Sequence, residues 1–270
     1  MPFNNDIIGL IAGGGKFPIM VADSARKQGL KVIAVAHKDE TDPLLSEKAD
    51  KIIWVKMGQL GHIIKALKKG GVNKALMAGT ITKTRMFGNL RPDLKGLSLM
   101  AKLAIFHDDD ILKAVSCELL KAGIEIISPV NFLPELLPPK ACLTRRKPSA
   151  SEKVDINFGW NMAKELGRLD IGQCVVVRAK TVLALEAIEG TNETILRGGK
   201  LAREKAVVVK VSKPTQDLRF DMPTVGLETI KIMDQVKASV LAIEAGKTLL
   251  FDRSEMVDYA NNAGIIIIAQ

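Results

Sequence analysis

The chain is poor in aromatic residues: they make up 4% of its 270 residues, with two tryptophans and one tyrosine. Val, Ile, Leu and Ala must therefore fill the core, and there is little material for the stacking surfaces that hold single-stranded nucleic acid. Cysteine is scarce as well. Cys117, Cys142 and Cys174 stand far apart, with no C-x-x-C spacing and no Cys/His cluster. That argues against a zinc site and suits a reducing compartment. The three histidines, His37, His62 and His107, are scattered, and no Ser/His/Asp constellation or cysteine nucleophile can be read from spacing. No apolar run reaches the roughly 18–20 residues that span a bilayer. The start "MPFNNDIIGLIAGGG" lacks the basic region and cleavage-type end of a signal peptide. The expectation is a cytoplasmic protein, with contact at a membrane surface left open.

What the sequence does have is an apolar share of 47%, enough for a sizeable core, and a net charge of +9 from 39 basic and 30 acidic residues. A basic balance favours anionic partners: nucleic acid, phosphorylated metabolites or an anionic membrane face. The basic residues are dispersed, the densest cluster being "RRK" at 145–147, and no stripe interleaves them with aromatics. Nucleic acid is accordingly not the expected partner.

The pattern along the chain is α/β. "IIGLIA" (7–12), "KVIAVAH" (31–37), "KIIWVKM" (51–57), "KALMAG" (74–79) and "IEIISP" (124–129) read as strands; 17–29, 59–69, 95–106 and 109–122 read as helices. Continuous apolar strands alternating with helices imply a parallel sheet covered on both faces, a Rossmann-like arrangement. Residues 129–153 carry five prolines and break this rhythm. The domain boundary is placed inside that stretch, giving an N-terminal domain over 1–132 and a C-terminal α/β domain over 133–270. In the second, 154–169 reads as a helix, and "QCVVVRAKTVLALEAI" as two strands with a turn near Ala179–Lys180. Helices at 191–202 and 254–263 and after Gly226, with strands at 206–212, 239–245, 248–252 and 265–270, complete it. The short strand-to-strand steps point to a mixed sheet.

Several stretches carry candidate chemistry. Gly13, Gly14 and Gly15 follow the first strand, where glycine lets backbone N–H groups approach a phosphate. The dinucleotide fingerprint is only partly met: Pro18 replaces its third glycine, and Ala36 and His37 stand where a ribose-binding acid is expected. The loop fits a phosphate or nucleotide better than a nicotinamide cofactor, and a tight turn without ligand is its plain structural reading. Gly79 and Thr80, at the end of the fourth strand, could line the same cleft or merely cap a helix. "HDDD" (107–110) precedes a helix, where one acid serves as a cap and three exceed that need. Glu186 and Glu189 lie at a strand end, and Asp217 and Asp221 in a polar loop that also holds Lys213 and Arg219. Such carboxylates could converge on Mg²⁺, a hard cation that takes oxygen ligands, although exposed loop carboxylates are usually just solvated.

"LIAGGGKFP", "AGTITK", "HDDDILKAV", "GWNMAKELGRLDIGQ", "VLALEAIEGTNETI", "KPTQDLRFDMPTVG" and "EAGKTLL" occur in that order. Together they resemble the motifs of the UDP-2,3-diacylglucosamine pyrophosphatases of lipid A assembly, of the type unrelated to calcineurin-like phosphoesterases. The resemblance covers nearly the whole chain; "EAIEGTNETI" with "QDLRFDMPTVG" is its most specific part. It implies a Mg²⁺-dependent hydrolase acting on UDP-2,3-diacylglucosamine and releasing UMP and 2,3-diacylglucosamine 1-phosphate. It also implies two domains, a homodimer and passing contact with the inner membrane surface, where a basic surface helps. The nucleotide would then be part of the substrate. Asp221 is the first choice for the catalytic carboxylate and Asp217 the second, both with Glu186 and Glu189 as metal candidates; Gly13, Gly14, Gly15, Gly79, Thr80, Lys213 and Arg219 would bind substrate. A sugar-nucleotide-binding regulator without catalysis is the alternative.

Overall fold

A computed structural model describes residues 6–81, 90–102 and 108–270. It divides by contacts into two compact units: Met1–Pro134 together with Asp217–Asp221, and Glu135–Gln216 together with Met222–Gln270. The fold is mixed α/β, with a parallel sheet in the first unit and a mixed sheet in the second.

In the first unit, β1 (Ile7–Ala12), β2 (Lys31–His37), β3 (Lys51–Val55), β4 (Lys74–Ala78) and β5 (Glu125–Ile127) pair in the order β3-β2-β1-β4-β5, all parallel. Helices α1 (Phe17–Lys27), α2 (Leu60–Lys69), α3 (Leu94–Lys102) and α4 (Asp108–Lys121) lie between them in sequence. Pro18 sits in the first turn of α1, where a missing N–H costs nothing. The chain runs outward from β1 through β2 to β3, then returns to lay β4 on the other side of β1. That reversal puts a topological switch point at the carboxyl ends of β1 and β4, the place where open parallel sheets bind ligands. His107 and residues 82–84 of the "AGTITKT" stretch lie outside the described residues.

In the second unit, β6 (Ala141–Cys142), β7 (Cys174–Arg178), β8 (Thr181–Leu185), β9 (Val207–Lys210), β11 (Val240–Ile243) and β13 (Ile266–Ala269) form one sheet, ordered β6-β13-β11-β9-β7-β8. The pairs β9–β11 and β11–β13 are parallel, and β6, β7 and β8 run antiparallel to their neighbours. β10 (Thr224–Val225) and β12 (Leu249–Leu250) make a separate parallel pair. The stretch expected as a five-residue strand over 248–252 shortens to this pairing, because its partner is only two residues long.

Alternation along the strands decides which helix covers which face. Val175, Val177, Val207 and Val209 pack with Ile156, Ala163 and Leu166 of α5 (Ala150–Arg168). Cys174, Val176 and Val208 pack on the other side with α6 (Thr191–Ala202), α7 (Leu227–Gln235) and α8 (Arg253–Asn262). Close approach needs glycine. A β-carbon on Gly159 would lie 2.7 Å from Val209 Cγ2, and one on Gly198 2.6 Å from Val176 Cβ. α5 begins in a capping box, Ser149 with Glu152, and Arg146 grips Glu152 through both terminal nitrogens while also reaching Gly264 O and Ser239 O. The central arginine of the "RRK" cluster therefore ties the second unit together.

Ala179 and Lys180 turn β7 into β8 with φ of 50° and 55°. Asp155 of α5 steadies this turn by accepting from both N–H groups, at 2.9 and 2.7 Å. Left-handed backbone at two successive residues is the geometry that Asn-Gly adopts with least strain. Replacing Ala179–Lys180 by Asn-Gly should raise stability by about 1 kcal/mol. Asp155→Ala should lower it by about 1 kcal/mol, since two N–H groups of the turn lose their acceptor. Urea midpoints at constant m-value check both.

Candidate functional site

The switch point of the first unit is a backbone crossing. Gly13 N–H donates to Ala78 O at 2.8 Å, Gly14 N–H to Thr80 O at 2.7 Å, and Thr80 N–H returns to Gly14 O at 3.1 Å. A β-carbon on Gly13 would stand 2.6 Å from Thr80 O, and one on Gly79, whose φ is +94°, 2.6 Å from Gly14 O. These two glycines are required by the contact between the loops. Gly15 differs: its φ is +84°, and a β-carbon there would meet nothing within 4 Å. It is the open member of the triplet. Gly14 falls between, with Glu40 O 3.1 Å from its would-be β-carbon.

The end of β2 locks onto this crossing. Buried His37 places Nδ1 3.0 Å from Ala12 O, and Thr41 Oγ1 donates to the same carbonyl at 2.7 Å while accepting from His37 N–H. A carbonyl only accepts, so Nδ1 carries the hydrogen. Burial pushes the imidazole below its ordinary pKa, against the smaller opposing pull of the Ala12 hydrogen bond and the Glu40 charge. Where a dinucleotide fold would offer an acid to a ribose, this chain holds a histidine that fastens the tip of β1.

The acidic loop belongs by contacts to the first unit. Phe220 packs on the core around Val55, Leu60, Leu119 and Ile124, and Ser128 Oγ reaches Leu218 O at 3.5 Å. The N–H groups of Phe220 and Asp221 both donate to Asp217 O, closing a tight turn. Arg219 clasps Asp217 from Nε, at 2.9 and 3.1 Å, and from Nη2 at 2.6 Å, and its guanidinium lies 5.6 Å from the Phe220 ring centroid. The Arg219 hydrogen bonds hold the Asp217 carboxyl below the usual range, although partial burial opposes them. Asp221, half-buried, ends the turn.

Both halves of the chain match domains of one family: residues 7–136 the LpxI N-terminal domain and 139–268 the LpxI C-terminal domain. A curated relative from Caulobacter vibrioides, named UDP-2,3-diacylglucosamine pyrophosphatase LpxI, is 32% identical over 97% of this chain and 96% of its own length. The chain belongs to the LpxI family. Likenesses to solved structures are distant. A multifunctional pyruvate carboxylase from Rhizobium etli has a TM-score of 0.30 at 17% identity, over 49% of this chain and 12% of that one. The structure of gox2253 has a TM-score of 0.32 at 9% identity, over 91% of this chain and 78% of that one.

In this LpxI-family chain the site residues read from sequence fall into separate groups. Gly13, Gly14, Gly15, Gly79 and Thr80 meet at the switch point, while Asp217, Arg219 and Asp221 share one turn. Glu186 and Glu189 lie in the second unit at the start of α6. Glu186 Oε2 accepts from Gln173 N–H and Oε1 from the Thr191 hydroxyl; Glu189 accepts from Ala187 N–H, the Thr194 hydroxyl and Arg197. Both close the β8–α6 turn in place of a side-chain cap at Gly190. Lys213 pairs with Asp170 at 2.6 Å. Among the described residues, no group of three or more His, Cys, Asp and Glu could hold a metal ion.

A buried ionic knot escaped the sequence reading. Glu244, at the carboxyl end of β11, accepts from Lys164 at 2.6 Å, Lys247 at 2.8 Å, and the Ser212 hydroxyl and N–H at 2.8 and 3.0 Å. Only "EAGKTLL" hinted at it, and spacing cannot show that Lys164, 80 residues away, is a partner. Burial alone would raise the Glu244 pKa; the two lysines and Ser212 outweigh it and bring the group from 4.5 to about 2.

Two outcomes follow. Gly79→Ala should destabilise by about 2 kcal/mol or more, combining a positive φ with a backbone collision, whereas Gly15→Ala should cost about 1 kcal/mol for φ alone. Denaturant titration of the two variants side by side measures the difference. Because folding lowers the Glu244 pKa, the stability it contributes is whole above about pH 4.5 and is lost as the pH falls toward 2. Wild-type unfolding midpoints should therefore fall more steeply across that window than those of Glu244→Gln.

Proposed function

We propose that the chain hydrolyses the diphosphate of UDP-2,3-diacylglucosamine with Mg²⁺, giving UMP and 2,3-diacylglucosamine 1-phosphate for lipid A synthesis. The observation that carries this reading is the 32% identity to the pyrophosphatase LpxI over 97% of the chain, with both family domains matched. In this proposal the protein is a homodimer that visits the inner membrane surface. Its net charge of +9 suits an anionic leaflet, and among the described residues no helix is long and apolar enough to cross a membrane.

Diphosphate cleavage needs neutralised phosphate charge and a positioned water. Bound Mg²⁺ supplies charge neutralisation at the phosphate oxygens. It commonly takes one or two protein carboxylates and completes its shell with waters and phosphate oxygens, so a site with no dedicated cluster of acids is compatible with it. Asp221 would hold it and orient or deprotonate the attacking water. Asp217 would share the role through the turn it closes, with Arg219 held by Asp217 as a cation facing phosphate. Lys213 adds a further cation, and Gly15 offers open backbone at the switch point. Glu186 and Glu189 enter as carboxylates that set the start of α6.

The test is UMP release from UDP-2,3-diacylglucosamine by purified protein, with and without Mg²⁺. Asp221→Ala should fold, still bind the substrate and lose at least ~100-fold in turnover, the scale of general-base assistance. Asp217→Ala should be the next most damaging, and Glu47→Ala, at an exposed position, nearly silent. Binding without UMP release in the wild type would replace the enzyme by a sugar-nucleotide-binding regulator.

A further inference from the structure

We infer that Glu40 receives the ribose hydroxyls of the nucleotide at the glycine loop of the first unit and so selects a ribonucleotide. The segment "HKDET" (37–41) leaves β2 at the carboxyl edge of the sheet. It folds back at once. The N–H groups of Glu40 and Thr41 donate to His37 O at 3.3 and 3.0 Å, and Asp39 takes a left-handed φ of 69°. Thr41 Oγ1 accepts from His37 N–H and donates to Ala12 O, the carbonyl that His37 Nδ1 also meets. Both ends of the turn are thereby fastened to the tip of β1, and Glu40 is carried over the glycines. A β-carbon built on Gly14 would lie 3.1 Å from Glu40 O and 3.6 Å from its carboxylate Oε2. The same carboxylate is near enough to His37 to favour the charged imidazole.

Room for a ligand lies next to this contact. Gly15 is exposed, and a β-carbon there would meet nothing within 4 Å. Glu40 itself is half-buried, so its carboxylate is held at the loop and still reaches solvent. An ionised carboxylate accepts hydrogen bonds and gives none, so the group it meets brings hydroxyls rather than phosphate oxygens. A ribose presents two adjacent hydroxyls to its two oxygens. In open parallel sheets that bind nucleotides, an acid after the second strand does this work beside the glycine loop. Here the residue that ends β2 is spent on fastening β1, and the acid comes three residues later, returned to the loop by the turn. That offset is why the fingerprint, read by spacing, met only Ala36 and His37. Given the proposed function, on which the choice of ligand rests, the ribose is that of the substrate's uridine diphosphate.

The test uses the full chain in calorimetry with UDP, 2′-deoxy-UDP and 3′-deoxy-UDP. The wild type should bind UDP at least ~10-fold more tightly than one or both deoxy forms, the scale of one charge-assisted hydrogen bond. Glu40→Ala should weaken UDP by at least ~10-fold on the same scale and bind the three nucleotides alike. Glu40→Gln, which keeps the size and an acceptor but loses the charge, should fall between the two. Glu47→Ala, at an exposed position a few residues on, should match the wild type. Equal wild-type affinity for the three nucleotides, or no wild-type binding of UDP, overturns the inference. So does a Glu40→Ala protein that keeps the wild-type preference, which would leave Glu40 as part of the turn alone. If Glu40→Ala fails to fold, Glu40→Gln decides: an undiminished preference overturns the assignment, and a diminished one supports it. UMP release with unchanged KM and unchanged ribose preference in Glu40→Ala sinks the assignment and spares the hydrolase. A ribose preference that depends on Glu40, in a wild type that releases no UMP, does the reverse.

Discussion

Both sheets are covered on two faces, and that constraint decides where polar chemistry can exist in this molecule. A strand such as Val207–Lys210, with valine packed on α5 from one face and on α6 and α7 from the other, has no solvated side on which to carry a charge. Polar groups are driven to the strand ends. The glycine crossing, His37 and Thr41 gather at the carboxyl edge of the first sheet. Glu186, Lys210, Ser212 and Glu244 gather at the corresponding edge of the second.

At those edges most charges are answered locally. Asp217 is clasped by Arg219, Glu189 by Arg197, and Glu244 by two lysines and a serine; at the opposite end of the second sheet Asp155 is held by two backbone N–H groups. Such pairing makes the carboxylates rigid and lets them set turns and helix starts. It also narrows the field for chemistry, since an acid saturated by its own neighbours is slow to leave them for a ligand.

Cys174 is withdrawn from such chemistry by its burial. Burial pushes the Cys174 thiol well above its ordinary range, with the Glu186 charge adding and Lys210 opposing. A thiol in that setting stays protonated and inert. The carboxylates, lysines and open backbone of this LpxI-family chain suit the anionic, phosphorylated ligand of the proposed function.

Local sequence determined a great deal. The continuous apolar runs specified parallel and mixed sheets, the Ala179–Lys180 step specified a hairpin, and Pro18 marked the first turn of α1, because each follows from backbone preference within a few residues. The ordered motifs carried the family. Tertiary structure alone decided the rest. That Gly13 and Gly79 serve each other's backbone depends on β4 returning beside β1, 66 residues later in numbering. That Asp217 and Asp221 group with the N-terminal unit depends on Phe220 finding a core built from residues far upstream. Which acids are clasped depends on partners such as Lys164 and Glu244, whose distance in sequence hides their contact in space. Periodicity and turn chemistry are read within a dozen residues, whereas burial and charge pairing are properties of neighbours that only the folded chain brings together.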